Sequence, residues 1–410
     1  MTATPQPQPA AMLTHSYYEE DPRVRREAEA LVAGGRQVDV FSLRRPGDPP
    51  IGDLAGVRVY RLDVQRHQGA GLGTYTREYL SFLARAGWAV TRHHRRRRYA
   101  VLQVHTLPDF LVFAGLPLRL RGVPLILDLH EAMPEFFQAR FPQASNPIVR
   151  RLLRLQERAS IAFASAVITV NDALGQRLID LGVPPDKVTV LLNSPSLQLF
   201  DAAAHPRRTF AEDGIVRLVY AGALSPTYEV DVALSALARL AELRPDMAVH
   251  LEIYGRDFGE RSLAADVARL GLLDRVTFHG RVPLEDVPAA IAAADIGLAP
   301  TRRNAFTDFS LSTKIFEYGA MGKPIVASRL PMIERTFPTG TVATYEPGDA
   351  DDLAHRIVEL VDDRVDRESR VARTDERVRE LGWDREAKRY RALVDRLARG
   401  REPDADRPES

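Results

Sequence analysis

The sequence predicts an α/β protein built from two doubly wound, Rossmann-like domains that face each other across a cleft. Three observations predict it. Short apolar runs alternate with amphipathic helical stretches along almost the whole chain. A polar, proline-containing break at about 193–213 interrupts this rhythm once, and the same rhythm then restarts. The chain has 410 residues with 45% apolar content, enough for two domains of ordinary size, each with its own core. Strands that alternate with helices pair in parallel and carry helices on both faces of the sheet.

Residues 1–10 read as a disordered leader, rich in Pro and Gln and lacking the basic and apolar regions of a secretory signal. The first domain is expected over 11–195. Ala11-Met12-Leu13 opens its first strand. A helix from Arg23 to Ala33 follows, closed by Gly34-Gly35, and Val38 to Leu43 is the second strand. Val101 to Val104, Leu125 to Leu129, Ala166 to Val170 and Val188 to Leu192 continue the set, with helices at about 108–120, 147–163 and 172–181. Between them, Gly69-Ala70-Gly71-Leu72-Gly73 reads as a loop, since its spacing is not that of a dinucleotide fingerprint. Tyr79, Leu80, Phe82, Leu83, Ala86 and Val90 then form an apolar helical stripe that ends in a basic turn, Arg92-His93-His94-Arg95-Arg96-Arg97-Arg98.

The second domain is expected over 196–380. Its strands are Val216 to Tyr220, Ala248 to Tyr254, Arg275 to Phe278, Ile296 to Ala299, Pro324 to Ser328 and Thr341 to Tyr345. Its helices lie at about 229–243, 260–270, 285–294, 312–320 and 351–363. A last helix, within 381–399, carries Tyr390, Leu393, Val394 and Leu397 at helical spacing and is expected to pack back on the first domain. Residues 400–410 read as a disordered tail.

Composition excludes several classes. A formal net charge of +1 argues against a nucleic-acid binder, and the 92–98 run is isolated. The absence of cysteine removes disulfides, thiolate zinc sites and a cysteine nucleophile, and fits a reducing, cytoplasmic setting. No apolar run approaches the roughly 18 residues a membrane span needs. The basic run remains a candidate contact to an anionic membrane surface at the inner face, or to a polyprenyl phosphate.

The most informative stretch is Ser312 to Val326. A short helix opening at Ser312 or Thr313 carries Lys314 and Glu317 on one face, and Gly322 and Pro324 stop it. Its N-terminal amides suit a diphosphate, and a carboxylate one turn inside suits vicinal hydroxyls. The plainer reading is an amphipathic helix whose Lys and Glu face water. Ligands in such sheets sit beyond the carboxyl ends of the strands. Arg302-Arg303 after Pro300, and His130 and Glu131 after Leu129, hold such positions, as does His105. No convincing metal site emerges. Asp349-Ala350-Asp351 follows the last strand and reads as a helix cap.

Taken in order, these pieces resemble the family four group of retaining GT-B glycosyltransferases, the glycosyl transferases group 1. The resemblance runs from about residue 12 to 398. It rests on Asp21 to Ala28, Asp128-Leu129-His130-Glu131 with Pro134-Glu135, Tyr220-Ala221-Gly222, Ile253-Tyr254-Gly255, Val276 to Val282, Ala293 to Pro300 and Lys314 to Val326. It implies transfer of a sugar from a nucleotide-diphosphate sugar, a co-substrate rather than a bound cofactor, to a hydroxyl acceptor on a glycan, glycolipid or small molecule, with retention and without metal. The acceptor enters from the first domain and the donor sits on the second. His130, Arg302 and Lys314 are then the catalytic candidates. Gly222, Tyr254, Gly255, Arg281, Ser312, Thr313 and Glu317 form the donor site, and His105 and Glu131 the acceptor side. Glu317 matches the second glutamate of the E-x7-E motif, implying ribose binding, but Phe309 replaces the first, and Ala223 and Glu229 stand where the family places cations. Those departures keep open a catalytically degenerate partner protein. A nucleotide-sugar epimerase is the other alternative, and a dehydrogenase is disfavoured by the missing glycine fingerprint.

Overall fold

The computed structural model describes residues 7–64, 72–141, 146–206, 208–256 and 262–400. The start of the expected leader, Gly69-Ala70-Gly71 and the tail beyond Gly400 lie outside the described residues. The chain forms two compact units: Met1–Leu192 with Arg385–Ser410, and Asn193–Asp384.

In the first unit the elements run β1 (Ala10–Leu13), α1 (Pro22–Ala33), β2 (Val38–Leu43), β3 (Ile51–Leu54), β4 (Val57–Leu62), α2 (Leu72–Arg97), β5 (Val101–His105), α3 (Leu116–Arg119), β6 (Leu125–Leu129), α4 (Met133–Arg140), α5 (Pro147–Phe163), β7 (Ala166–Thr169), α6 (Asp172–Asp180) and β8 (Val188–Val190). The sheet order is β3-β4-β2-β1-β5-β6-β7-β8. All neighbours are parallel except β3, which pairs antiparallel with β4. The central strands are buried along their whole length, as a sheet covered on both faces requires. Side-chain caps fix the helix starts: Asp21 accepts from Arg23 N, Asn146 from Ile148 N and Val149 N, and Asn171 from Leu174 N.

The second unit runs β9 (Ile215–Ala221), α7 (Val230–Leu243), β10 (Ala248–Tyr254), α8 (Leu263–Arg269), β11 (Val276–Gly280), α9 (Val287–Ala292), β12 (Ile296–Ala299), α10 (Thr313–Ala320), β13 (Ile325–Ser328), α11 (Pro331–Thr336), β14 (Ala343–Tyr345), α12 (Ala350–Asp362) and α13 (Arg364–Glu380). Its sheet is wholly parallel, in the order β11-β10-β9-β12-β13-β14. The order reverses between β9 and β12. That switch point leaves a crevice at the carboxyl ends of the two strands, where ligands bind in such sheets.

The last helix, α14 (Trp383–Arg399), starts in the second unit and from Arg385 onward belongs to the first. Tyr390, Leu393 and Val394 are buried there, and Tyr390 OH donates to Gln103 Oε1 at 2.6 Å. Leu192 N donates to Glu386 Oε2 at 3.2 Å.

Several expectations need correction. The β3–β4 hairpin was not expected, because β3 is a four-residue edge strand with no buried position. The basic run is not a turn: α2 continues through Arg97, and the helix closes at Arg98 with a φ of 51°. The helix expected at 108–120 is a 3-10 stretch, Asp109–Gly115, followed by α3, since Gly115 and Pro117 interrupt a regular helix. Helices α4, α11 and α13 were also not foreseen. By compactness the first unit runs to Leu192 and the second from Asn193 to Asp384.

Candidate active site

The switch point of the second unit is built around Tyr318. β9 and β12 pair at Ile296↔Leu218 and Gly297↔Val219 and then part. The Tyr318 hydroxyl closes the gap, accepting from Ala221 N at 3.0 Å and donating to Leu298 O at 3.2 Å. Those backbone groups would otherwise be buried without partners. The bond also fixes α10, and with it Ser312 as N-cap residue and Thr313 as the first helical residue.

Lys314 does not face water. It is 6% exposed, and its ammonium lies 3.9 Å from the Tyr228 ring centroid and 5.1 Å from that of Tyr220. Its side chain runs along Gly222, where a Cβ would meet Lys314 Cε at 2.4 Å. Among the described residues no carboxylate pairs with it. A lysine held by aromatic faces, without a carboxylate, keeps its charge available to an anion. Glu317 is half-buried three residues further along the same short helix.

Gly222 N donates to Tyr254 O at 2.8 Å, and Gly255 N donates to Gly280 O at 2.8 Å. These bonds join the chain just beyond β9, β10 and β11. A Cβ on Gly255 would stand 1.9 Å from Gly222 O, so only glycine permits this approach. Tyr254 stacks on His279 with centroids 4.1 Å apart, and His279 Nε2 lies 2.6 Å from Glu252 Oε2. Arg281 follows Gly280 at the same edge and is exposed. The structure thus brings Gly222, Tyr254, Gly255 and Arg281 to one edge of the sheet, with Lys314 against Gly222.

Arg302 is less available. Its Nε donates to Pro226 O at 3.2 Å, and its Nη2 stands 3.4 Å from Asp231 Oδ2. Glu229 is a buried tie: its Oε2 accepts from Gly348 N at 2.9 Å and from Tyr345 OH at 3.2 Å. Ser328 Oγ continues the network by donating to Tyr345 OH and accepting from Thr301 N. Phe309 ends a 3-10 turn, Thr307–Phe309, just ahead of α10.

In the first unit, register places His105 beside Asp128. Asp128 Oδ2 lies 2.8 Å from His105 Nδ1 and 3.2 Å from His130 Nε2, and the two rings are parallel at 5.8 Å. These are ion-pair distances without hydrogen-bond alignment. Gln103 Nε2 donates to Glu27 Oε2 at 2.5 Å and reaches Asp128 Oδ2 at 3.3 Å. All of these groups are buried.

Burial pushes the Asp128 carboxyl up, but the two imidazoles outweigh it and hold Asp128 ionised, well below the usual range. Burial and the neighbouring Asp128 charge push Glu27 up to about 8. His130 is lowered by burial, with Asp128 opposing the effect and Arg23 adding to it. For His105, burial is outweighed by Asp128 and the value rises. Glu131 is raised by burial against the charge of Arg23. Asp21 is also buried, yet Arg23 holds it low.

His105 is therefore no open acceptor contact: it is 1% exposed and meets the site through Asp128. The ligand atoms of His105, Asp128 and His130 lie within 4.8 Å of one another, a spacing that could hold a metal ion. The guanidinium of Arg23 acts on the same group and disfavours a second cation there. Sequence reasoning missed Asp128 as the holder of both rings, although it stands in the Asp-Leu-His-Glu motif. It also missed Asp109, fully buried at the start of the 3-10 stretch and pushed well up by burial and by Glu157. Nothing in its sequence position signals either feature.

Of the 92–98 run, His94 is buried and Arg97 pairs with Asp39 at 2.9 Å, leaving Arg92, Arg95, Arg96 and Arg98 exposed. No helix among the described residues is long and apolar enough to cross a membrane.

Residues 21–194 match the glycosyl transferase 4-like domain, and residues 216–363 match the glycosyl transferases group 1. The chain is 25% identical over 395 residues to a D-inositol 3-phosphate glycosyltransferase of Pseudarthrobacter chlorophenolicus, covering 91% of this chain and 90% of that one. It is 24% identical over 289 residues to the alpha-D-kanosaminyltransferase of Streptomyces kanamyceticus, covering 67% of this chain and 72% of the other. Among solved structures, sucrose-phosphate synthase from Thermosynechococcus elongatus superposes with a TM-score of 0.76 at 20% identity, covering 96% of this chain and all of that one. The Anabaena protein HepE in complex with UDP-glucose superposes with a TM-score of 0.67 at 17% identity, covering 94% of this chain and 99% of that one.

Proposed function

Because this chain belongs to the glycosyl transferases group 1 family, and is a glycosyltransferase of GT-B architecture, we propose that it moves a sugar from a nucleoside diphosphate donor to a hydroxyl acceptor with retention. The observation that carries the reading is Lys314. It is a buried ammonium without a carboxylate, lying against Gly222 at the switch point and one residue inside the N-terminus of α10. Charge on a departing diphosphate needs stabilisation in a site that excludes water. Lys314 and the amides of Ser312 and Thr313 supply it, in place of the cations that Ala223 and Glu229 do not provide. Arg302 is a secondary source, since Asp231 already draws on its charge.

Glu317 accepts from the ribose hydroxyls, and the edge made by Gly222, Tyr254, Gly255 and Arg281 receives the rest of the nucleotide. The ring of His130 positions the transferred sugar. Glu131 lies on the acceptor side. The chemistry uses no metal: the leaving phosphate takes the acceptor's proton as it departs.

The test is thermal stabilisation of the purified protein across UDP-, GDP-, ADP- and dTDP-sugars without added metal. UDP-glucose comes first, because HepE holds it. A ligand present at roughly 100 times its Kd stabilises the folded state by about 2.7 kcal/mol. A shift with one nucleotide family, abolished by Glu317→Ala and Lys314→Met, is expected. No shift with any donor, alone or with candidate acceptors, would favour the degenerate partner that Phe309 keeps in view.

A further inference from the structure

Seven of the eleven large apolar side chains exposed among the described residues fall on three neighbouring pieces of the first unit: α2, α3 with its C-cap, and α5. These pieces share one core. Phe82 and Ala86 of α2, Leu118 of α3 and Ile161 of α5 pack in a single cluster over Leu102, Val104, Leu125 and Leu127 of the sheet. Their opposite sides form one outer layer. Helix α5 shows the pattern most sharply. It is anchored by Glu157, which pairs with Arg177 at 2.8 Å, and by Ser160 and Ile161. On the outer side Ile148, Leu152 and Leu155 are 72%, 58% and 64% exposed, at a helical spacing that makes one stripe.

Charge on this layer has one sign. Arg150, Arg151, Arg154 and Arg158 are exposed along α5, and Arg92, Arg95 and Arg96 along the end of α2. The carboxylates on these pieces are Glu78 and Glu157, and both are buried. The outer layer thus offers water arginines and apolar side chains, with no carboxylate among its described residues.

We propose that this layer, with the α5 stripe at its centre, seats the protein on an anionic lipid bilayer, the apolar stripe entering the acyl boundary and the arginines meeting the lipid phosphates. An apolar stripe flanked by basic side chains fits that surface. A second copy of this chain fits it poorly, because two such layers face to face would juxtapose arginines with no carboxylate between them. The inference does not depend on sugar transfer, and it centres on α5 rather than on the 92–98 run alone.

The test is co-sedimentation of the full chain with vesicles of phosphatidylcholine alone and with added phosphatidylglycerol, read together with tryptophan fluorescence. Trp88 is 65% exposed on α2, whereas the other tryptophan, Trp383, is buried, so a blue shift reports Trp88. Binding to the anionic vesicles with a blue shift is expected, and high salt should weaken it. Leu152→Ser with Leu155→Ser should abolish binding, and Arg151→Glu with Arg154→Glu should weaken it on the order of thirtyfold or more. Circular dichroism verifies that these exposed substitutions leave the fold intact. Failure to bind anionic vesicles at low salt overturns the proposal, as does binding that both double variants retain. Self-association that Leu152→Ser with Leu155→Ser disrupts, without vesicle binding, would assign the stripe to a protein contact instead.

Discussion

The side chain of Lys314 occupies the space that a Cβ on residue 222 would need, so the glycine and the lysine are mutually fitted. Gly222→Ala should force the ammonium off the Tyr228 face and weaken nucleoside diphosphate binding while the fold survives. Lys314→Met should weaken it further, by about 1.5–3 kcal/mol if the charge makes one hydrogen bond to phosphate. Isothermal titration with UDP and GDP measures both. Unchanged affinity in Lys314→Met would remove the lysine from the donor site.

Burial holds His130 below the usual histidine range. The rate of transfer should therefore stay level down to mildly acidic pH and fall only as the ring becomes protonated. Removing the Asp128 charge takes away the attraction that favours the imidazolium, so Asp128→Asn should move the acid limb of the kcat profile to lower pH. The same change should lower kcat and leave the Kd for nucleoside diphosphate intact. A profile that does not move would reduce Asp128 to a packing role.

Glu27 has a folded value raised to about 8 from 4.5. A raised carboxyl binds its proton more tightly in the folded state. The stability it contributes is complete below its unfolded value and is lost as pH rises towards 8. Glu27→Gln keeps an acceptor for Gln103 and removes the titration. The variant should gain on the wild type by on the order of a few kcal/mol between mildly acidic and mildly alkaline pH. Urea unfolding at several pH values reads the difference directly.

Tyr390→Phe removes one hydroxyl and strands Gln103 Oε1 in a buried site. The expected cost is about 1–3 kcal/mol. A lowered urea midpoint at unchanged slope would show that the loss is local. A reduced slope would mean that α14 had come away.

Much of the fold was legible because its parallel strands are short apolar runs, buried throughout as in β2 or on alternate positions as in β10. Runs such as Val38 to Leu43 and Ala248 to Tyr254 announce themselves without partners. Two of the misses share a physical cause. β3 has exposed and half-buried positions only, and α13 buries just Arg367, Thr374 and Val378, so neither carries an apolar period. In the site, strand ends pointed to His130 and His105, and the motif pointed to Glu317. The plainer reading placed Lys314 on the wet side, because a lysine buried against aromatic faces looks, in sequence, like any lysine. The meeting of Asp128 with His105 needs the register of β5 against β6, which no local pattern encodes.

Helix α14 gives the first unit a discontinuous origin in time as well as in sequence. A ribosome finishes β1 to β8 long before it makes Tyr390, and until then Gln103 lacks the hydroxyl that covers it. The second unit is contiguous and can close first. Nascent chains halted before residue 385 should therefore resist protease in their later half and yield in their earlier half, the reverse of the usual order of domain maturation.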